Sequence, residues 1–172
     1  MSSESSSRTV HIEEISRDDN REQHNSWKAR LPELNKVCTG LTKAALNQSY
    51  GIIETIAYTK TKTGKLTSFA LLYRVHSGRT IDKKVKTVKF LVLKIICSGV
   101  LKRGYGTRLM TEIAAYARES GFEYLIVEEP TESALPFYIK QGYNYMEMGT
   151  IDGIMVFDSC FKQLYPVHQD VM

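Results

Sequence analysis

A glycine-bearing turn at residues 101–108 is the segment of this sequence whose residue types best suit a chemical role. It reads Leu101, Lys102, Arg103, Gly104, Tyr105, Gly106, Thr107 and Arg108. The two glycines let a ligand approach the backbone closely and permit a positive φ. A helix starting here would point its first N–H groups, and the positive end of its dipole, at that ligand. The turn therefore predicts a site for an anionic phosphate group, although a strand-to-helix turn with no ligand would contain the same glycines.

Two known phosphate motifs are excluded at this turn. A P-loop needs a lysine and a hydroxyl residue after its last glycine, and neither follows Gly106 in that arrangement. The dinucleotide pattern G-x-G-x-x-G is also missing from the chain.

Three further side chains could move a proton. Tyr138 lies in an apolar segment that predicts a short helix stopped by Gly142, where a packed aromatic is the alternative interpretation. Glu128 and Glu129 follow a short apolar strand. Carboxylates in that position can act as a base, but they can also cap the next helix or face solvent.

The elements around the turn must position these residues. The β-branched, apolar run 88–97 predicts a central strand, and the apolar residues of 109–117 recur at helical spacing up to a stop at Gly121. Residues 124–127 predict another buried strand. The order is therefore strand, turn, helix, strand.

The rest of the chain predicts antiparallel strands and helices. We expect strands at 9–15, 51–58, 66–75, 143–148 and 153–161, with turns at 61–64 and 149–153. Residues 18–49 predict a helical region broken at Pro32 and Gly40. The basic run from Lys83 to Lys89 is expected at an exposed hairpin end, after a turn around Ser77, Gly78 and Arg79.

Length and composition fit one α/β (α+β) domain. We expect a disordered tail at 1–8, a domain at 9–165 and a C-terminal tail at 166–172. The three cysteines have no metal-ligand spacing, so reduced, packed thiols are expected. No apolar run reaches membrane-spanning length, and a net charge of +4 does not by itself imply nucleic acid.

Two motifs resemble the GNAT acetyltransferases. R-G-Y-G-x-x-L-M at 103–110 resembles their motif A, and its residues are most similar to those of the type A histone (lysine) acetyltransferases. At the first position of the motif, Leu101 replaces the usual Gln or Arg. The segment 133–143 resembles the A-x-x-x-Y-x-x-x-G-F/Y helix ending of the same superfamily. The resemblance implies the GNAT fold, with a mixed sheet of about six to seven strands flanked by about four helices.

The resemblance also assigns roles to residues. It implies that acetyl-coenzyme A is bound by the turn and by the preceding strand, whose backbone would contact the pantetheine arm and the thioester; the residues concerned are Leu93, Ile95, Ile96, Leu101, Lys102, Arg103, Gly104, Tyr105, Gly106, Thr107 and Arg108. It implies that Tyr138 protonates the departing thiolate. The general-base glutamate of type A enzymes aligns with Phe90, which accepts no proton. Glu128 and Glu129 resemble an acidic segment that deprotonates the amine in type B enzymes.

The expected function is therefore transfer of acetyl from acetyl-coenzyme A to a primary amine, on a lysine side chain or an N-terminus of a protein. A small-amine acetyltransferase and a coenzyme-binding pseudoenzyme, motivated by Phe90, stay open as alternatives. No metal, no membrane and no direct contact with nucleic acid are expected. We expect an intracellular protein of the cytoplasm or nucleus, either a monomer or a homodimer.

Overall fold

The computed structural model describes residues 9–15, 21–38, 52–81, 84–98 and 104–164. Seven strands lie within these ranges: β1 (His11–Glu14), β2 (Thr55–Lys60), β3 (Leu66–Ile81), β4 (Lys84–Ser98), β5 (Tyr124–Glu128), β6 (Asn144–Ile151) and β7 (Ile154–Gln163). Four α-helices accompany them: α1 (Arg21–Ala29), α2 (Leu31–Val37), α3 (Tyr105–Glu119) and α4 (Leu135–Lys140). A 3-10 turn, Glu132–Ala134, precedes α4.

The strands form one mixed sheet in the order β1-β2-β3-β4-β5-β7-β6. β4 and β5 are parallel, with Phe90 opposite Tyr124 and Leu93 opposite Val127. β1 with β2, β2 with β3, β5 with β7 and β6 with β7 are antiparallel. The sheet and the four helices confirm the predicted α/β class and the predicted order of elements.

The parallel pair is built by β4, α3 and β5, which form the strand, helix, strand unit predicted around the glycine turn. α3 buries the apolar residues Leu109, Met110, Ile113, Ala114 and Ala117. It ends at Glu119, and Gly121 just beyond it has a φ of 82°, a conformation that glycine adopts without steric cost. The N–H of Phe122 then donates to the carbonyl of Ala117 and closes the helix end.

The chain packs as two compact units. The first comprises residues 1–73 and 94–113. Its core lies between α1, α2 and the first strands, and comprises Ile15, Trp27, Leu31, Leu34, Val37, Ile53, Ile56, Tyr58, Leu66, Phe69, Leu71 and Cys97. A polar network supports this core, because the carboxylate of Glu13 accepts hydrogen bonds from Trp27 (2.6 Å) and from the hydroxyl of Tyr58 (3.1 Å).

The second unit comprises residues 74–93 and 114–172. Its buried residues come from β4, the second half of α3, β5, α4, the last hairpin and the segments next to them. Phe90 is 2% exposed and contacts the edge of the Tyr124 ring, with 5.4 Å between ring centroids. Tyr138 and Tyr143 form a similar pair at 6.0 Å.

Several boundaries differ from those predicted. The helical region breaks at Arg30, whereas Pro32 lies in the first turn of α2, where its missing N–H costs no helical bond. Residues 77–79 lie within β3, which continues to Ile81, so no turn forms there. The last hairpin turns tightly at Asp152 and Gly153, both with positive φ, which lets β6 continue through Gly149 to Ile151.

Some sequence predictions fall outside the described residues. These are the tails at 1–8 and 166–172, the helix break at Gly40, and Leu101, Lys102 and Arg103 of the turn.

Candidate active site

The start of α3 carries the geometry predicted for the glycine turn. Gly104 is exposed and has a φ of 73°. The N–H of Arg108 donates to the carbonyl of Gly104 at 3.0 Å, which is the first bond of the helix. The N–H groups of the three residues between them, Tyr105, Gly106 and Thr107, precede any helical acceptor.

The electrostatics of this turn favour an anion. Its N–H groups carry the positive end of the dipole of a 15-residue helix. The first turn of α3 contains no acidic residue, and Arg108 is exposed there. Tyr105 is 3% exposed and anchors the turn to the core of its unit. The residues therefore fit a pyrophosphate such as that of coenzyme A.

The strand that leads to the turn extends past its parallel neighbour. The described ladder between β4 and β5 ends at Leu93 and Val127, whereas β4 continues to Ser98. Leu93 is buried, and Ile95 and Ile96 are half-buried. The last residues of β4, for which contacts with a pantetheine arm were predicted, therefore lie beyond the described ladder.

A disulfide between Cys97 of this strand and Cys38 corrects the expectation of reduced thiols. The sulfur atoms of Cys38 and Cys97 lie at bonding distance, and their Cα atoms are 5.1 Å apart. The expectation was wrong for these two residues because their spacing of 59 residues carries no local signal of a tertiary pairing. It holds for Cys160, a free thiol that is fully buried. Burial raises the pKa of the Cys160 thiol, followed in effect by the charge of Asp158.

Tyr138 lies in the middle of α4 and is 4% exposed. Its ring contacts the edges of Phe137 and Tyr143, with centroids 5.3 and 6.0 Å away. Burial, and then the nearby thiol of Cys160, raise its pKa to about 12. The hydroxyl therefore stays protonated, and able to donate, throughout the neutral and mildly alkaline range.

The two glutamates occupy the end of β5. Glu128 is half-buried and lies opposite Ser159 of β7. Glu129 is exposed, has a φ of 48°, and donates its backbone N–H to the carbonyl of Asp158 at 2.9 Å. Phe90 is enclosed in the core at the base of the same ladder, and its side chain cannot accept a proton.

Asp158 lies beside Glu129, and the sequence analysis did not single it out. It has a φ of 40°, and its carboxylate accepts a hydrogen bond of 2.7 Å from the hydroxyl of Tyr145. That hydrogen bond raises the pKa of Tyr145 to about 12, together with desolvation and the nearby Asp158, Glu147 and Cys160. The one available signal was an aspartate inside an apolar strand, where aspartate is uncommon.

Neither a metal site nor a membrane-spanning helix is found in the described ranges. No group of three or more His, Cys, Asp or Glu residues there could hold a metal ion. None of the helices described is long and apolar enough to cross a membrane.

Comparison with known proteins agrees with this geometry. Residues 62–143 match the acetyltransferase (GNAT) family, and no curated protein matches the sequence. Among solved structures, the chain resembles the Escherichia coli ribosomal-protein-S18-alanine N-acetyltransferase at 15% identity and a TM-score of 0.54, covering 95% of this chain and 99% of that one. It also resembles a GNAT family acetyltransferase from Elizabethkingia anophelis with acetyl-CoA bound, at 14% identity and a TM-score of 0.50, covering 90% and 97%.

A third similar structure contains a glucosamine N-acetyltransferase region of a fungal multi-domain GH3 β-N-acetylglucosaminidase. The identity is 16% and the TM-score is 0.52, with 81% of this chain covered. The chain spans only 17% of that larger protein.

Proposed function

We propose that this chain is an acetyl-coenzyme A dependent N-acetyltransferase of the GNAT family, and that it acetylates a primary amine of a protein, on a lysine side chain or an N-terminus. The amine attacks the thioester directly while both substrates are bound. The observation that carries this proposal is the start of α3, where a left-handed glycine and three N–H groups outside the helical ladder suit a pyrophosphate. In this proposal the motif A residues of 101–108 bind coenzyme A, and the end of β4 orients the thioester.

The acceptor must lose a proton before it attacks, because an ammonium has no free electron pair. Phe90 cannot take that proton, so we assign the step to Glu128 or Glu129 at the end of β5. Tyr138 would donate its hydroxyl proton toward the sulfur as the carbon–sulfur bond breaks. Its raised pKa keeps the phenol neutral until that moment. Stabilisation of the leaving thiolate acts in the transition state and therefore affects the rate more than binding.

Carboxylates on β7 and on the strands at either side of it favour a cationic acceptor. The backbone N–H of Glu129, at the end of β5, bonds the carbonyl of Asp158 in β7. On the other side of β7, Glu147 of β6 lies opposite Asp158, between the pairs Met146–Ser159 and Met148–Phe157. All three are exposed. These three neighbouring carboxylates attract an ammonium group and repel anions. A lysine side chain or a protein N-terminus meets this requirement.

A small amine is the second candidate, since one similar structure contains a glucosamine N-acetyltransferase region. A coenzyme-binding pseudoenzyme is the third, motivated by Phe90. One experiment separates all three. The protein is incubated with acetyl-coenzyme A and panels of peptides and small amines; free thiol release is followed, and the products are identified by mass spectrometry.

Peptide acetylation above the uncatalysed rate supports the proposal. Acetylation of small amines alone favours the second candidate. Binding of acetyl-coenzyme A without release of thiol in any panel favours the pseudoenzyme.

A further inference from the structure

The Cys38–Cys97 pair joins a helix end to the strand that leads into the coenzyme turn. Cys38 follows α2, and its N–H donates to the carbonyl of Leu34 at 3.0 Å. Cys97 is the second-last residue of β4. The Cα separation of 5.1 Å lies inside the range of about 4.4–6.8 Å that a disulfide requires. Backbone positions therefore suit the bond without rearrangement.

The pair lies near the end of β4, beyond the described ladder with β5. The described β4–β5 ladder ends at Leu93, and Cys97 lies four residues further along β4, which has β3 as its other neighbour. Cys97 packs in the core of the first unit, and Ile95 and Cys38 pack against that core. A bond to α2 holds this end of β4 against the core. α3, with its anion-binding start, begins eight residues after Cys97.

We propose that Cys38 and Cys97 form a redox-reversible modification site that sets the affinity of the acetyl-coenzyme A site. The inference rests on the proposed function and adds its regulation. The oxidised pair fixes the end of β4 and pre-organises its backbone for the pantetheine arm. Reduction removes the covalent link, so packing and the sheet alone hold that end of β4, its backbone is less well ordered for the coenzyme, and the coenzyme binds more weakly.

The chemistry is a balanced thiol–disulfide exchange with a low-molecular-weight disulfide. The thiolate of one cysteine attacks the small disulfide and expels one small thiol. The second cysteine then attacks the mixed disulfide and expels the other. Two protein thiols become one disulfide, and the two electrons and two protons leave on the two small thiols. A dithiol reverses the sequence. Cys38 is the more exposed of the pair and is the natural point of entry.

The test compares the full-length protein after treatment with oxidised glutathione and with dithiothreitol. Alkylation under denaturing conditions, followed by mass spectrometry, counts thiols: one is expected in the oxidised protein and three in the reduced protein. Calorimetry then measures coenzyme A affinity in each state. We expect the oxidised protein to bind at least about 5-fold more tightly, the lower end of typical coupling between sites.

Matched variants separate this link from general effects of oxidation. Cys38→Ser and Cys97→Ser should bind like the reduced protein under both treatments. Cys160→Ser should keep the same ratio of oxidised to reduced affinity as the parent, because Cys160 is fully buried and outside the pair. Thermal melts identify any variant that fails to fold.

Three results would overturn the inference. One is three free thiols after oxidation, another is equal coenzyme A affinity in the two states, and the third is loss of the redox response in Cys160→Ser alone. Failure of the proposed function looks different. In that case coenzyme A binds in neither state, while the change in thiol count is still observed.

Discussion

The backbone N–H of Glu129 donates to the carbonyl of Asp158 at 2.9 Å, and both residues have left-handed backbones, with φ values of 48° and 40°. A non-glycine residue in this conformation costs on the order of 1 kcal/mol. The surrounding ladder of β5 and β7 therefore holds both residues against their own preference. Neither side chain is required for that backbone bond.

Glycine at position 129 is thus expected to separate folding from catalysis. Glu129→Gly keeps the N–H that bonds Asp158 and relieves the left-handed strain, so the free energy of unfolding should stay the same or rise by up to about 1 kcal/mol. If Glu129 takes the proton of the amine, the acetylation rate near neutral pH should fall about 10²-fold or more. Urea titration and steady-state kinetics measure the two effects.

Asp152→Gly is the matched control for this change. Asp152 has a φ of 49° in the last hairpin turn and takes no part in the proposed chemistry. Its replacement should affect stability in the same direction and leave the rate unchanged. If Glu129→Gly is as active as Asp152→Gly, the base must be Glu128 or a group elsewhere, which Glu128→Gln and the double variant would distinguish.

A second prediction concerns the hydroxyl of Tyr138. Tyr138→Phe keeps the buried ring and removes the donor, so kcat should fall about 10²-fold with little change in acetyl-coenzyme A binding. The pKa of about 12 adds a pH signature. An ordinary tyrosine ionises near pH 10, whereas kcat of the parent should show no alkaline decline through about pH 10.

Tyr143→Phe is the control for Tyr138→Phe. Tyr143 is buried next to Tyr138, and its hydroxyl has no hydrogen-bond partner within the described part of the chain. Removing that hydroxyl should be neutral or stabilising, because it leaves no partner unsatisfied, and kcat should not change. Equal kcat values for parent, Tyr138→Phe and Tyr143→Phe would make Tyr138 a packing residue only.

Much of the fold could be predicted from the sequence because its signals are local. The apolar spacing of α3, the stop at Gly121 and the turn at 61–64 depend on neighbouring residues, and each is confirmed. The length of β3 could not be predicted, since glycine at 78 and serine at 77 favour a turn until pairing with β4 overrides them. Tertiary pairing, which leaves no local pattern, decided that boundary.

The candidate site divides in the same way. Gly104 and Tyr138 belong to motifs with fixed local spacing, so the sequence was enough to select them. The disulfide between Cys38 and Cys97 and the hydrogen bond between Glu129 and Asp158 each join segments that are distant in the sequence. Neither pair has a spacing that would suggest the contact. The specificity for a histone or another lysine acceptor likewise stays a prediction.

A further prediction is that titration of Glu33 lowers the stability of the folded protein in acid. Burial alone would raise its pKa, but the hydrogen bonds from Arg30 and from the N–H of Leu66, with the charges of Arg30 and Lys36, lower it below the ordinary value of 4.5. A depressed pKa means that the contribution to stability is full above the ordinary pKa of the unfolded chain and is lost as the pH falls below it and through the lowered pKa of the folded state. We expect unfolding free energy to decline below about pH 5.

The check is urea unfolding of the parent and of Glu33→Gln between neutral pH and about pH 3. Glutamine cannot titrate, so the variant should show a shallower decline. Glu119→Gln, at an exposed position near the end of α3, should follow the parent. Parallel curves for parent and Glu33→Gln would contradict the prediction.

The last prediction concerns coenzyme binding at Gly104. Gly104→Asp should weaken coenzyme A binding by at least about 10-fold, because a carboxylate at the positive end of α3 competes with and repels the pyrophosphate. The chain itself leaves room for the change, since a Cβ at Gly104 meets nothing within 4 Å. The substitution adds left-handed strain at a φ of 73°, so some loss of stability is expected as well.

Gly121→Asp separates the two effects. Gly121 has a φ of 82°, and a Cβ there also meets nothing within 4 Å, so the backbone strain is matched. It lies after the C-terminus of the same helix, far along the chain from the coenzyme turn. Both variants should melt at a lower temperature than the parent, but calorimetry should show weaker coenzyme A binding only for Gly104→Asp. If the two folded variants bind coenzyme A with equal affinity, the start of α3 is not part of the coenzyme site.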